Sequence, residues 1–173
     1  MSPAVVGRIA YAVSDDPGRL YSFDASGTRV RSEAPKVCTP LWTAGQTFDP
    51  VQQQWVGDDL YSSPTVANGV VYVSGAEGAL FAYDAAGQQN CSGTPRVCAP
   101  LWTTAITGVF TPAEPVVANG VVYVGAEDGT LLAFDADGKS HCNSTTRAWT
   151  GADSVLRAYR LQPGSAAANR STS

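Results

Sequence analysis

The residues that could carry chemistry in this chain are its four cysteines and its single histidine. A zinc site would have to combine Cys91, Cys98, His141 and Cys142, which lack the short Cys-x-x-Cys spacing of structural zinc sites. A Ser-His-Asp or Cys-His catalytic group would have to use His141, which follows a polar stretch and is interpreted as an exposed turn residue. The sequence therefore predicts no catalytic group and no metal site.

Two of the cysteines are spaced for a disulfide. Cys91 and Cys98 enclose a short loop that Gly93 and Pro95 can bend, and closing such a loop contributes roughly 2 to 3 kcal/mol in the chain-entropy model. A Cys91–Cys98 disulfide indicates an oxidising setting, either extracytoplasmic or secreted. The alternative is a pair of free surface thiols in a cytosolic protein. Because the first residues lack a charged segment followed by an apolar one, a secretion signal segment is not expected in this chain.

The other two cysteines have no repeat-related partner. Arg31 stands where a partner of Cys38 would be, and the third unit keeps only Cys142. We expect both to be free, and a disulfide between them is the alternative.

Carboxylates and indoles recur instead of occurring once. One aspartate closes each repeated unit, at Asp24, Asp84 and Asp135. A catalytic acid is normally unique, so these are interpreted as caps that accept hydrogen bonds from the following turn. One indole also recurs, at Trp42, Trp102 and Trp149, and is interpreted as packing between units.

These residues belong to a sequence repeat that is present in three copies. The segment 63–87 returns 51 positions later as 114–138, and a weaker copy starts near residue 2. Asn-Gly pairs, ending in Gly69 and Gly120, predict tight hairpin turns, and Gly78 and Gly129 mark the next turn. Each unit therefore reads as a meander of about four short antiparallel strands.

Such a sheet cannot bury both faces alone, whereas stacked copies can. The predicted fold is all-β, a partial β-propeller of about three four-stranded antiparallel blades, with a β-sandwich as the alternative. The blades are expected at 2–60, 61–110 and 111–161, and residues 162–173 as a disordered tail. Residues 45–60 are expected to form an extended connection between blades, in which Trp55 packs.

Charge narrows the possible partners. The net charge is −4 and the basic residues are scattered, so binding to nucleic acid or to an anionic membrane is not expected. No uncharged run is long enough to span a membrane.

The repeat resembles the PQQ-like, quinoprotein-type β-propeller repeat. The resemblance rests on Gly69-Val70-Val71-Tyr72-Val73, on Gly78-Ala79-Leu80-Phe81-Ala82-Tyr83-Asp84 and on the copy that ends Leu132-Ala133-Phe134-Asp135. It implies that an Ala-x-Asp-x-x-x-Gly stretch, here Ala82, Asp84 and Gly87, is followed by a tryptophan, Trp102, that docks one blade on the next. Enzymes of the family hold pyrroloquinoline quinone and calcium, with an Asp base and often a disulfide of adjacent cysteines.

This sequence has no adjacent cysteine pair and no unique aspartate, so the resemblance favours the non-enzymatic members and no cofactor. The expected function is a non-catalytic scaffold or binding module, a fragment of a longer propeller, with an unknown protein or carbohydrate partner. Self-association could cover its open blade edges. The alternatives are a truncated part of a PQQ-dependent quinoprotein oxidoreductase, and a surface module that recognises polysaccharide or protein through exposed aromatic residues in 45–60.

Overall fold

The computed structural model describes residues 1–27, 38–76, 78–106, 113–126, 130–138, 148–149 and 157–160. These residues form strands, turns and irregular segments, and no helix that could cross a membrane occurs among them. Cys142, His141, Gly129 and the tail 162–173 lie outside the described residues, so the predictions made for them stay predictions.

The described strands form three blade sheets, each an antiparallel meander as the repeat predicts. Blade 1 consists of β1 (Ala4–Val6), β2 (Ile9–Ser14), β3 (Arg19–Asp24) and β4 (Trp42–Gly45). Blade 2 consists of β7 (Thr65–Ala67), β8 (Val70–Gly75), β9 (Ala79–Asp84) and β12 (Trp102–Ala105). Blade 3 consists of β13 (Val116–Ala118), β14 (Val121–Gly125), β15 (Thr130–Asp135) and β17 (Arg157–Arg160). The partial propeller is thus the observed fold.

The Asn-Gly pairs form the predicted hairpin turns. Asn68 and Gly69 have φ of 51° and 78°, and Asn119 and Gly120 have φ of 52° and 77°. Positive φ at both central positions is what a two-residue type I′ turn requires. Gly78, at the turn between β8 and β9, also has positive φ.

The insertions that follow β9 and β15 each add strands to the preceding blade. The remaining strands are β5 (Thr47–Asp49), β6 (Gln54–Val56), β10 (Cys91–Ser92), β11 (Val97–Cys98) and β16 (Ala148–Trp149). Strand β11 pairs in parallel with β4 of blade 1, and β16 pairs in parallel with β12 of blade 2. The sheets therefore interleave across the sequence boundaries expected near residues 60 and 110.

This pairing corrects the alignment of Trp149. The repeat pattern predicts Trp149 as the third copy of Trp42 and Trp102, but β16 takes the place of β11 and not that of β12. The fourth strand of blade 3 is β17, in which Arg157 pairs with Ala133 as Trp102 pairs with Ala82. The prediction followed the local Trp-Thr pattern, which does not specify the sheet to which a strand belongs.

The expected extended connection at 45–60 is instead a hairpin of its own. Strands β5 and β6 pair with each other as a separate two-stranded sheet. Trp55 lies on this hairpin and is 45% exposed, so the expectation that it packs inside the fold is wrong.

The core lies between the blades, because alternate residues of each middle strand face opposite neighbours. Odd-numbered residues of β8 and β9 pack against blade 1, and even-numbered ones pack against blade 3. The first group is Val71, Val73, Phe81 and Tyr83, and the second is Tyr72, Leu80 and Ala82. Stacking thus covers both faces of blade 2. Each aliphatic or aromatic side chain that it buries fully stabilises the fold by about 1.5–3 kcal/mol.

Candidate functional site

Trp42 binds blade 1 to blade 2, and Trp102 binds blade 2 to blade 3. The Trp42 Nε1–H donates to the Ala85 carbonyl of blade 2 at 3.1 Å, and the Trp102 Nε1–H donates to the Ala136 carbonyl of blade 3 at 3.3 Å. The same carbonyls accept a hydrogen bond from a tyrosine of the preceding blade. The Tyr11 and Tyr72 hydroxyls lie 3.0 Å from the Ala85 and Ala136 oxygens, respectively. Burial, and secondarily Asp137 and Asp135, raises the pKa of Tyr72 to about 12, so this phenol keeps its proton and donates.

A glycine makes room for each indole. A Cβ added at Gly87 would lie 2.1 Å from Trp42 Cδ1, and one at Gly138 would lie 2.3 Å from Trp102 Cδ1. We call the alanine carbonyl and this glycine together the docking slot. The slot receives the indole that the resemblance predicted, and the insertion between Gly87 and Trp102 leaves that contact intact.

The recurring aspartates cap the turns that form the slots. Asp84 accepts hydrogen bonds from the backbone N–H of Ala86, Gln88 and Gln89 at 3.3, 2.7 and 2.8 Å. Asp24 and Asp135 accept from the N–H two residues later, at 2.9 and 3.2 Å. The three carboxylates are engaged in structure, so none of them is offered as a catalytic group.

The β5–β6 hairpin carries the most prominent exposed aromatic pair of the described residues. Phe48 and Trp55 are directly opposite each other, with ring centroids 5.5 Å apart in an edge-to-face arrangement. They are 47% and 45% exposed, and Val51 at the tip is 89% exposed. Asp49 caps the tip by accepting from the N–H of Val51 and Gln52. The hairpin therefore presents an ordered apolar surface to solvent.

Close backbone contacts hold the base of this hairpin. The Gly18 carbonyl accepts from the N–H of Gln46 at 3.1 Å and of Leu60 at 3.3 Å. Gly45 has φ of 91°, and a Cβ there would lie 2.7 Å from the Gly18 oxygen. A two-stranded hairpin is marginal on its own, so these contacts fix it on the edge between blades 1 and 2.

Beside the hairpin lies a cleft of about 590 Å³ whose lining includes Gln46, Asp58, Asp59 and Thr103. The hydroxyl of buried Tyr83 is 3.5 Å from Asp58 Oδ2. Burial raises the pKa of Asp58, although the Tyr83 contact opposes the shift. Burial and the Asp58 charge raise the pKa of Tyr83 well above its usual range. Among the described residues, no group of three potential metal ligands is present here or elsewhere.

A second groove, of about 840 Å³, runs between blade 1 and the β10–β11 hairpin. Arg19 and Arg96 line it, and both bind protein groups. Arg19 donates to Thr43 Oγ1 at 2.8 Å, and Arg96 donates to the Gly87 carbonyl at 2.7 Å. The guanidinium groups therefore support the fold where the groove forms.

The predicted disulfide is confirmed between Cys91 and Cys98. It joins β10 to β11 and so braces the strand that extends blade 1. A zinc site that uses both sulfurs as thiolates is incompatible with this bond. Cys38 is a free, exposed cysteine in the described part of the chain.

The tyrosine that donates to each docking slot and the carbonyl that accepts from it are not among the residues predicted from the sequence. Tyr11, Tyr72 and Tyr123 recur with the repeat, which was a usable signal. The acceptors are backbone groups 64 to 74 residues further along the chain for the two observed bonds, and no residue type marks them.

Comparison with known proteins identifies the family. Residues 39–172 match the family model described as outer membrane protein assembly factor BamB. A solved structure of BamB from Moraxella catarrhalis is similar, with a TM-score of 0.55 and 14% identity over 92% of this chain and 35% of that one. A europium-containing methanol dehydrogenase is similar over 78% of this chain and 22% of that one, with a TM-score of 0.50 and 18% identity.

The computationally designed Ika8 protein is similar as well, with a TM-score of 0.51 and 10% identity over 78% of this chain and 32% of that one. A search of curated proteins gave no match. The chain spans about a third of the BamB structure, and these identities establish the fold alone. Because the family model covers most of its length, this chain belongs to the PQQ-like β-propeller repeat family of the outer membrane protein assembly factor BamB.

Proposed function

We propose that this chain is a non-catalytic β-propeller scaffold that binds a protein partner through the β5–β6 hairpin. The observation that supports the proposal is the exposure of Phe48 and Trp55 on a hairpin whose base is fixed by backbone contacts. Exposed apolar groups on an ordered support are typical of interaction sites. Tryptophan is enriched among the residues that contribute most to protein binding.

A protein is favoured over a carbohydrate because of the ring geometry. The planes of Phe48 and Trp55 are inclined by 66°, whereas a sugar ring is best received on one flat aromatic face. Val51 extends the surface with an aliphatic group, which suits an apolar protein surface.

The test is photo-crosslinking in cells of the source organism. A photoreactive phenylalanine analogue is placed at Val51 on the hairpin tip, and at exposed Gln89 as the matched control. We expect one discrete protein adduct from position 51 that Trp55→Ser removes, and no such adduct from position 89. Identical adducts from both positions, a protease-resistant glycan adduct, or no adduct would contradict the proposal.

We also propose that the chain lies outside the cytoplasm, since a Cys91–Cys98 disulfide persists in oxidising compartments. The assay is alkylation of free thiols at the moment of lysis, followed by mass measurement. The expected product carries no label on Cys91 or Cys98, and labelling of both would contradict the assignment.

The alternative function is part of a PQQ-dependent quinoprotein oxidoreductase. It is tested by titrating the purified chain with pyrroloquinoline quinone and calcium. A saturable change in the absorbance of the bound quinone, together with reduction of an electron-accepting dye, would establish the alternative and refute the non-catalytic assignment.

A further inference from the structure

The groove between blade 1 and the β10–β11 hairpin concentrates positive charge on an acidic protein. The described residues that line it include Arg19 and Arg96 but no aspartate or glutamate, although the chain has 15 acidic residues against 11 basic ones. Within the described part of the chain, each guanidinium makes a single hydrogen bond, and its acceptor is an uncharged oxygen, Thr43 Oγ1 or the Gly87 carbonyl. The two positive charges are therefore not compensated by a carboxylate.

The charge of Arg19 is the harder of the two to accommodate. Its Nε atom is buried and has no acceptor among the described residues, and its guanidinium carbon lies 5.8 Å from the centroid of the Tyr21 ring. Buried donors in native proteins are nearly always satisfied, and a guanidinium that is partly removed from water is stabilised by an anion. A bound anion would compensate the charge that this shielded side chain shares poorly with solvent.

Strand β4 ties both arginines to one residue, Thr43. The Thr43 hydroxyl accepts from Arg19, and the Thr43 N–H donates to the Arg96 carbonyl at 3.0 Å. Thr43 is only 4% exposed, and the Cys91–Cys98 disulfide braces the hairpin that carries Arg96. The groove is thus ordered before a ligand arrives, which reduces the entropy that binding costs.

The rest of the lining suits an organic molecule. Pro40, Leu41 and Pro95 contribute apolar surface, and Thr39 and Thr94 contribute hydroxyl groups. The volume of about 840 Å³ lies in the range of small-molecule sites, which combine apolar walls with a few polar groups. Apolar walls favour a ligand with a hydrocarbon body over a bare inorganic anion.

We propose that this groove binds a small organic dicarboxylate. One carboxylate binds Arg19, the other binds Arg96, and the hydrocarbon body lies against Leu41 and the two prolines of the lining. The planar fork of a guanidinium matches a carboxylate in geometry as well as in charge. The hairpin surface of Phe48 and Trp55 takes no part in this site, so the inference does not rest on the proposed protein partner.

The experiment titrates the full chain with succinate, glutarate, adipate and pimelate, and follows the backbone amide signals by NMR. The comparison ligands are the monocarboxylate of the same carbon number and inorganic phosphate. We expect at least one dicarboxylate to bind saturably, to shift the amide signals of Thr43 and Arg96, and to bind at least about tenfold more tightly than its monocarboxylate, because the second charged contact is then made.

Arginine variants locate the site. Arg19→Gln and Arg96→Gln should each weaken dicarboxylate binding at least about tenfold. Arg8→Gln is the matched control, because it removes the same charge from an exposed residue that does not line the groove, and it should leave the affinity unchanged. Circular dichroism establishes that each variant is folded.

Should Arg19→Gln fail to fold, the exposed residue Arg96 still gives the test. Arg96→Lys should weaken binding less than Arg96→Gln does, because lysine keeps the charge but not the fork. A folded Arg96→Gln chain that binds dicarboxylates as tightly as the parent would overturn the proposal.

Three further results would overturn it. The first is the absence of saturable binding by all four dicarboxylates. The second is phosphate or a monocarboxylate that binds as tightly as the best dicarboxylate, which would mean that the groove holds an adventitious ion only. The third is an equal loss of affinity in Arg8→Gln and in the groove variants, which would assign the effect to net charge.

Discussion

Replacing Gly87 by alanine tests how tightly the blades are docked. Gly87 has φ of 63°, and an added Cβ would lie 2.1 Å from Trp42 Cδ1. Trp42 is only 1% exposed, so the indole cannot turn aside without losing its bond to the Ala85 carbonyl. The substitution therefore forces either an overpacked interface or the expulsion of the indole.

The expected cost follows from these two routes. The strain of alanine at positive φ, about 1 kcal/mol, is shared by Gly7→Ala, whose φ is 60° and whose Cβ meets nothing within 4 Å. Overpacking adds about 1–3 kcal/mol, and loss of a buried tryptophan costs about 3–5 kcal/mol. The protein takes the cheaper of the two routes, so Gly87→Ala should destabilise it by about 1–3 kcal/mol more than Gly7→Ala does.

The assay is urea unfolding followed by far-ultraviolet circular dichroism. In a Trp42→Ala background, Gly87→Ala and Gly7→Ala should lower the free energy of unfolding equally, since the indole that Gly87→Ala displaces is then absent. Equal losses of stability from Gly87→Ala and Gly7→Ala in the parent protein would refute the docking geometry.

Further predictions concern the disulfide, a cap and a buried carboxyl. The double substitution Cys91→Ser, Cys98→Ser should lower the free energy of unfolding by about 2.5 kcal/mol, because an eight-residue loop is no longer closed. Cys38→Ser is the control. Equal losses of stability from the double substitution and from Cys38→Ser would contradict the stabilising role of the disulfide. Asp84→Ala should lower the free energy of unfolding by about 2 kcal/mol, since three backbone donors lose their acceptor. Asp24→Ala should lower it less, because its turn is exposed. The measurement is the urea midpoint of each variant, and a larger effect of Asp24→Ala would refute the capping role. Because burial raises the folded pKa of Asp58 above 3.8, its neutral form favours folding, and this stability is lost as pH rises through the folded pKa. The melting temperature of Asp58→Asn relative to that of the parent protein should therefore rise between pH 3 and pH 7. Parallel pH profiles of the two melting temperatures would contradict the pKa shift.

The repeat allowed most of the fold to be predicted. Hairpin turns follow from local chemistry, as Asn68-Gly69 shows, because positive φ suits these two residues. The Cys91–Cys98 disulfide was predictable for the same reason, since both cysteines lie in one short loop. Strand stacking followed from the apolar content of β8 and β9, which need cover on both faces.

Pairings between distant segments could not be predicted. Trp149 sits in a Trp-Thr pattern like that of Trp102, yet its strand adds to blade 2 by parallel pairing. The polar residues of 45–60 predict only an extended connection. The β5–β6 hairpin forms instead because its base is held by the Gly18 carbonyl, 28 residues before Gln46 in the chain. Backbone acceptors such as Ala85 have no sequence signature at all.

The central claim is that a protein partner binds through the hairpin surface of Phe48, Val51 and Trp55. The direct measurement is the dissociation constant of the partner identified by crosslinking, determined for the parent chain and for Phe48→Ser, Trp55→Ser and, as a control at an exposed residue, Gln89→Ser. The proposed function predicts at least about tenfold weaker binding for each hairpin variant, as expected for exposed aromatic anchors, and unchanged binding for Gln89→Ser. Hairpin variants that bind as tightly as the parent would contradict the claim.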